Sequence, residues 1–117
     1  MLQLINARTA AIVASSVEIA DTHRARRRGL LGRDELADHA ALMLPSCCAI
    51  HTIGMKFPID VVFVDTNGSV CKIVPNVGPW RIALSARART TIEFAAGHIG
   101  STGLSVGDRV YLESPSS

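Results

Sequence analysis

The stretch IDVVFVDTNGSVCKIV, residues 59–74, constrains the fold more than any other part of the chain. Asn67-Gly68 sits between two apolar runs, and both residues tolerate the positive φ of a type I′ turn, so the pair marks a β-hairpin. A turn of that type sets the register by pairing Thr66 with Ser69. Counting outward, Val62, Val64, Cys71 and Ile73 share one face with Asp60 at its end, while Ile59, Val61, Phe63, Val70 and Val74 share the other. Both faces are largely apolar, which predicts a central hairpin.

The flanking sequence adds short elements of the same kind. Residues 2–5 and 11–19 carry apolar groups separated by the turn NAR, and read as a first pair of strands. In DTHRARRRG, Asp21 or Thr22 can cap a short helix whose arginines lie toward its negative end, with Gly29 as the left-handed stop. GRDELADHA reads as a loop or single turn, ALMLP as a strand, and PNVGPWR as a loop because of its two prolines and glycine. TTIEF alternates, with Thr90, Ile92 and Phe94 on one side and Thr91 and Glu93 on the other; AAGHIGSTGLSVGD leaves room for one turn of helix, and RVYLE closes the chain. Six or seven short strands with one short helix predict a mainly β (α+β) fold, a small, partly closed barrel or β-sandwich.

Length and composition set the outer bounds. A chain of 117 residues fits one domain, expected over residues 1–113 with 114–117 as a disordered tail. Apolar residues make up 48% and charged residues 19%, an ordinary globular balance. No stretch approaches the roughly 20 apolar residues that span a bilayer. The start MLQLINARTA lacks the pattern of a secretory signal, and three cysteines, two of them adjacent, do not suit a disulfide framework. The expected location is cytoplasmic. A net charge of +2 does not call for a polyanionic partner.

With these elements in place, TIGMKFPIDVVFVDTNGSV, preceded by RARRRGLLGRDEL and followed by TTIEFAAG and GLSVGD, resembles the domain-of-unknown-function 192 family over about residues 8–113. The family pattern falls on Gly29, Leu30, Leu31, Arg33, Met55, Lys56, Pro58, Ile59, Asp60, Glu93, Gly97, Gly107 and Asp108. Two departures stand out: Gly54 replaces the usual tryptophan, and about three residues are missing between Lys56 and Pro58, an Asn-Thr pair among them. The resemblance implies a small β-rich domain and no settled reaction.

Candidate sites follow from residue chemistry. Cys47, Cys48 and His51 are zinc-ligand types, but ligands must converge at about 2.0–2.3 Å. In an extended segment Cys47 and His51 stand about 13 Å apart and Cys48 points away, so no metal is expected. The same residues form the enzyme alternative, a thiolate activated by His51 or Lys56. Arg24, Arg26, Arg27 and Arg28 raise a nucleic-acid alternative, but they fan round a helix, and aromatics are only 4% of the chain. Nucleic acid is therefore not the expected partner, nor is a membrane, and no cofactor is expected.

The leading expectation is a binding or accessory domain that recognises a small molecule or a protein segment at a rim pocket. Asp60 opens an apolar strand, where a carboxylate must be exposed, paired or functional, and Lys56 is its nearest cation in the sequence. His51, Lys56, Asp60 and Arg81 are the candidate polar contacts, and Trp80 the apolar wall.

Overall fold

The computed structural model describes residues 2–22, 24–25 and 29–115. The strands run β1 (Leu2–Asn6), β2 (Ile12–Ile19), β3 (Ala40–Pro45), β4 (Ala49–His51), β5 (Ile59–Val64), β6 (Val70–Val77), β7 (Ile82–Leu84), β8 (Thr90–Ala95) and β9 (Val110–Glu113), with a helix α1 (His98–Thr102) before the last. Seven of them form one sheet in the order β6-β5-β8-β3-β2-β1-β9, and β4 and β7 form a separate ribbon. Among the described strands only β2 and β3 are parallel neighbours, and residues 20–39 connect them.

The sheet curls until its two edges meet at one corner. Ser69 bridges Arg109, the Val70 amide donates to Asp108 at 2.8 Å, and the Val110 amide donates to Gly68 at 2.9 Å. The contact stops there, so the expected partly closed barrel is a curled half-barrel. At the opposite end of β5 and β8 lies α1, whose Ile99 packs into the interior with Leu104. The His98 ring stacks on Phe94 at 5.7 Å, and its Nε2–H donates to the Val13 carbonyl at 2.6 Å, fixing α1 to β2.

Both faces of the central strands are buried, as the hairpin pattern requires. The inner layer holds Leu4, Val17, Val62, Val64, Ile92 and Phe94; the outer one holds Leu30, Leu42, Leu44, Met55, Val61 and Phe63. Burying apolar surface on two faces contributes roughly 25 cal/mol per Å² removed from water. The outer layer is covered by Leu30, Leu31 and Leu36 and by the ribbon, whose Ile50 and Ala83 point inward.

The hairpin differs from its expected form in one respect with a traceable cause. Asp65 Oδ1 accepts from the amides of Asn67 (2.9 Å) and Ser69 (3.0 Å), while the Gly68 amide donates to the Asp65 carbonyl at 3.1 Å. Only Gly68 takes a positive φ (81°), so the connection is a type I turn with a glycine bulge. Val61, Val62 and Phe63 still face Val74, Ile73 and Lys72 as predicted. Beyond Phe63 the bulge sets Val64 opposite Val70, which puts Val70 in the inner layer and Cys71 toward the outer one, the reverse of the expected faces.

β6 also runs through Pro75 to Val77, where a loop was expected. It is an edge strand, so the missing amide of Pro75 costs no ladder bond. A second irregularity at Asn76 (φ 51°) shifts the register before Val77 pairs with Ile59, and the loop begins at Gly78. In the 20–39 connection Thr22 Oγ1 accepts from the Ala25 amide at 3.0 Å, and Gly29 is left-handed at φ 51°. Both ends of the expected helix are thus as read, but its arginines Arg26, Arg27 and Arg28 lie outside the described residues, as do Ser116 and Ser117 of the expected tail.

Candidate functional site

The five expected site residues do not form one group. Asp60 is 1% exposed and belongs to the inner face of β5. Its Oδ1 accepts from the Asn76 amide at 2.8 Å and its Oδ2 from the Ile99 amide at 3.1 Å. One carboxylate thereby satisfies the backbone at the β6 irregularity and at the start of α1, the standard solution for a buried charge. Lys56 is not its partner. Its Nζ lies 3.1 Å from Asp34 Oδ1, with both side chains largely exposed.

His51, Trp80 and Arg81 do come together, at one end of the β4–β7 ribbon. His51 is paired with Ile82, and Thr52 stitches the two chains beyond that pair. The Thr52 amide donates to the Arg81 carbonyl (2.8 Å), and the Trp80 amide donates to the Thr52 carbonyl (3.1 Å). The fully buried Thr52 hydroxyl donates to the Gly78 carbonyl (2.7 Å) and accepts from the Arg81 amide (2.8 Å). These bonds hold Trp80 at φ 65°, a left-handed backbone that an indole-bearing residue rarely adopts. Its side chain is 71% exposed, so it walls no core.

Alternation along the ribbon completes this surface. Ala49, His51, Ile82 and Leu84 face outward, and Ile82 and Leu84 are exposed at 69% and 55%. Ile53, in the turn that follows β4, is exposed as well. Lys72 reaches across to donate to the Leu84 carbonyl at 2.8 Å. Residues 46–58 and 78–89, which build the ribbon and its flanking loops, contain Lys56, Arg81, Arg87 and Arg89 and no aspartate or glutamate, with Lys56 paired to Asp34 of the 20–39 connection.

Cys47 and His51 do not share a face, as a fully extended segment would have placed them: Cys47 turns inward against the outer layer, while His51 faces out. Cys47 is half-buried against the outer layer, with its Sγ 3.1 Å from the Ala49 carbonyl, and Cys48 is exposed. Cys71 Sγ lies 3.4 Å from the Phe63 carbonyl. Among the described residues no three His, Cys, Asp or Glu side chains are grouped to hold a metal ion. Also among them, no helix is long and apolar enough to cross a membrane.

One titratable residue was not singled out as a site by sequence reasoning. Glu93, 3% exposed, sits on the outer face of β8 opposite Leu42 and Val61. Burial pushes its pKa up to about 7, and the positive charge of Arg33 pulls part of the way back. The signal available was its place in TTIEF, on a strand with no sequence mark of which side is solvent.

These features define a small half-barrel domain with an exposed ribbon. The chain belongs to the DUF192 family, described as an uncharacterised ACR, whose profile matches residues 4–112. No curated protein matches it. Among solved structures it is similar to a protein of unknown function from Novosphingobium aromaticivorans DSM 12444, with a TM-score of 0.80 and 22% identity over 94% of this chain and 82% of that one. It is also similar to a protein described as a "putative transcription regulator" from Sinorhizobium meliloti 1021, with a TM-score of 0.78 and 23% identity over 94% and 90% of the two chains. Both likenesses establish the fold.

The family positions divide between the two layers. Leu30, Met55 and Glu93 are buried in or beside the outer layer with Arg33 near Glu93, whereas Asp60 serves the inner face and Asp108 the closing corner. Gly54, where the family pattern has tryptophan, is left-handed at φ 83°. The turn before Met55 is therefore built on glycine in this chain, and a tryptophan there would be strained.

Proposed function

We propose that this chain is a small binding domain that captures an acidic, partly apolar segment of another protein on the outer face of its β4–β7 ribbon. The observation that carries the reading is Trp80, an exposed indole held in a left-handed backbone by the buried Thr52 hydroxyl. A strained, solvent-facing aromatic at the end of a ribbon that exposes Ile82 and Leu84 is what an interface anchor looks like before its partner arrives. The partner's chemistry follows from charge. His51 and Arg81 flank the apolar patch, and Arg81 forms no ion pair among the described residues. Lys56 lies outside this surface because it pairs with Asp34, and Asp60 is internal.

Trp80 is the only tryptophan in the chain, which makes the test direct. Peptides selected from a displayed library on the immobilised protein should be rich in Asp or Glu next to Leu, Ile or Phe. Their binding should shift the Trp80 emission to the blue, and Arg81→Glu should abolish the shift. Selection of peptides without acidic residues, or binding that leaves the emission unchanged, overturns the reading.

A further inference from the structure

The half-barrel is plugged by α1 at one end and open at the other. Where β5 ends and β8 begins, Val64 pairs with Thr90, and the hairpin turn leans across to β9. Between them lies a pocket of about 240 Å³. Its floor is the inner layer of the sheet, represented by Met43, Val64, Ile92 and Leu112, and its mouth carries Arg89, Thr90 and Tyr111.

The pocket reads as a site by what is paired and what is not. Asp65 also reaches the mouth, but its Oδ1 is turned to the amides of Asn67 and Ser69, which tie the carboxylate into the hairpin turn. Arg89 is exposed and forms no ion pair among the described residues. Its backbone is fixed, because its amide donates to the Val64 carbonyl at 2.8 Å and its carbonyl accepts from Cys47 at 3.1 Å. A cavity with an apolar floor and one unpaired cation at its polar rim suits a ligand that is apolar at one end and anionic at the other. The planar guanidinium fork matches a carboxylate, and the Thr90 hydroxyl can donate beside it. The volume falls below the roughly 300–1,000 Å³ of drug-sized sites, which limits the apolar part to a short chain or a single ring.

We infer that the open end of the half-barrel binds a small monocarboxylate, its apolar body against Met43 and Ile92 and its carboxylate on Arg89. This site is separate from the ribbon surface and goes beyond the binding role assigned there.

The test is a two-dimensional amide NMR titration of the full chain with three probes: hexanoate, acetate and hexan-1-ol. Hexanoate should produce saturable shifts at Val64, Thr66, Arg89 and Tyr111. It should bind more tightly than acetate, by roughly fourfold for each further methylene buried. Hexanol, with the same body and no charge, should bind at least tenfold more weakly than hexanoate. The Arg89→Gln variant, altered at an exposed side chain, should lose that preference, whereas Trp80→Ala should keep it. Equal binding of hexanol and hexanoate by the unaltered protein overturns the inference, and so does the absence of saturable shifts at the pocket. A Trp80→Ala variant that binds hexanoate but no peptide would leave the two sites standing independently.

Discussion

The Arg8 guanidinium grips the Asp108 carboxylate with both arms, Nε to Oδ1 at 2.7 Å and Nη2 to Oδ2 at 3.0 Å. The two residues are 100 apart in sequence and meet where the β1–β2 turn abuts the closing corner of the barrel. Asn6 Nδ2 and the Ser105 amide donate to the same carboxylate, at 3.1 and 2.9 Å. Arg8 holds the Asp108 carboxyl well below the usual carboxylate range, helped by these donors.

A depressed acid stabilises the fold above its unfolded pKa and loses that contribution as pH falls through the folded one. Asp108→Asn should therefore lower the urea midpoint at pH 7, and the gap to the unaltered protein should narrow progressively below about pH 4. Because Arg8 is 55% exposed, added salt should also narrow it. A gap that is constant from pH 7 to pH 2 would remove the ion pair from the account.

Glu93 has the opposite sign. Its carboxyl ionises near 4.5 when unfolded and near 7 when folded, so between those values the folded state binds more protons. Stability therefore falls as pH rises from about 4.5 to 7 and is flat above. At about 1.4 kcal/mol per pKa unit, the full penalty is about 3 kcal/mol. Glu93→Gln should be more stable than the unaltered protein by that order at pH 8 and equal to it at pH 4. Denaturant titrations at the two pH values check this; a Gln variant that is less stable at pH 8 would mean the ionised carboxylate has a use in the fold.

Asp60 and Lys56, neighbours in sequence, should respond very differently to truncation. Asp60→Ala leaves the Asn76 and Ile99 amides without their acceptor, at about 1–3 kcal/mol for each donor left buried. Lys56→Ala breaks only an exposed pair with Asp34 and should change stability by less than about 1 kcal/mol. Thermal melts of the two variants distinguish these cases, and equal, small shifts would mean that the Asn76 and Ile99 amides do not depend on Asp60.

The same residues explain which parts of the fold were legible in the sequence. The pairing of Val61–Phe63 with Lys72–Val74 followed from a local pattern, since a glycine turn and two apolar runs suffice to set it. Val70 and Cys71 exchanged faces because the Asp65 side chain competes for the turn amides and adds a bulge, a choice between two turns that both suit Asn-Gly. β4 and β7 are three residues each and pair across thirty positions, so neither carries a periodic signal of its own. Asp60 was noticed as a carboxylate on an apolar strand, but its partners are backbone amides contributed by distant elements, which residue types do not reveal. Glu93 was read only as one side of an alternating strand, and that side is buried by Leu30 and Leu31 arriving from the 20–39 connection.

Thr52 gives the sharpest test of how the ribbon surface is held. Replacing it with valine preserves its shape but removes the oxygen that accepts from the Arg81 amide and donates to Gly78. Both backbone groups then lose a partner in a partly buried setting, at up to about 1–3 kcal/mol each if water does not reach them. The loop has a cheaper response, which is to let residues 78–81 swing outward so that water replaces the hydroxyl. Trp80 would then leave its left-handed backbone, relieving strain of order 1–3 kcal/mol. The expected outcome is thus a modest loss of global stability with a marked fall in the fluorescence anisotropy of Trp80. Serine at the same position keeps the oxygen and should restore the anisotropy. If Thr52→Val leaves the indole as rigid as before, the hydroxyl is not what fixes it, and the strained conformation of Trp80 needs another source.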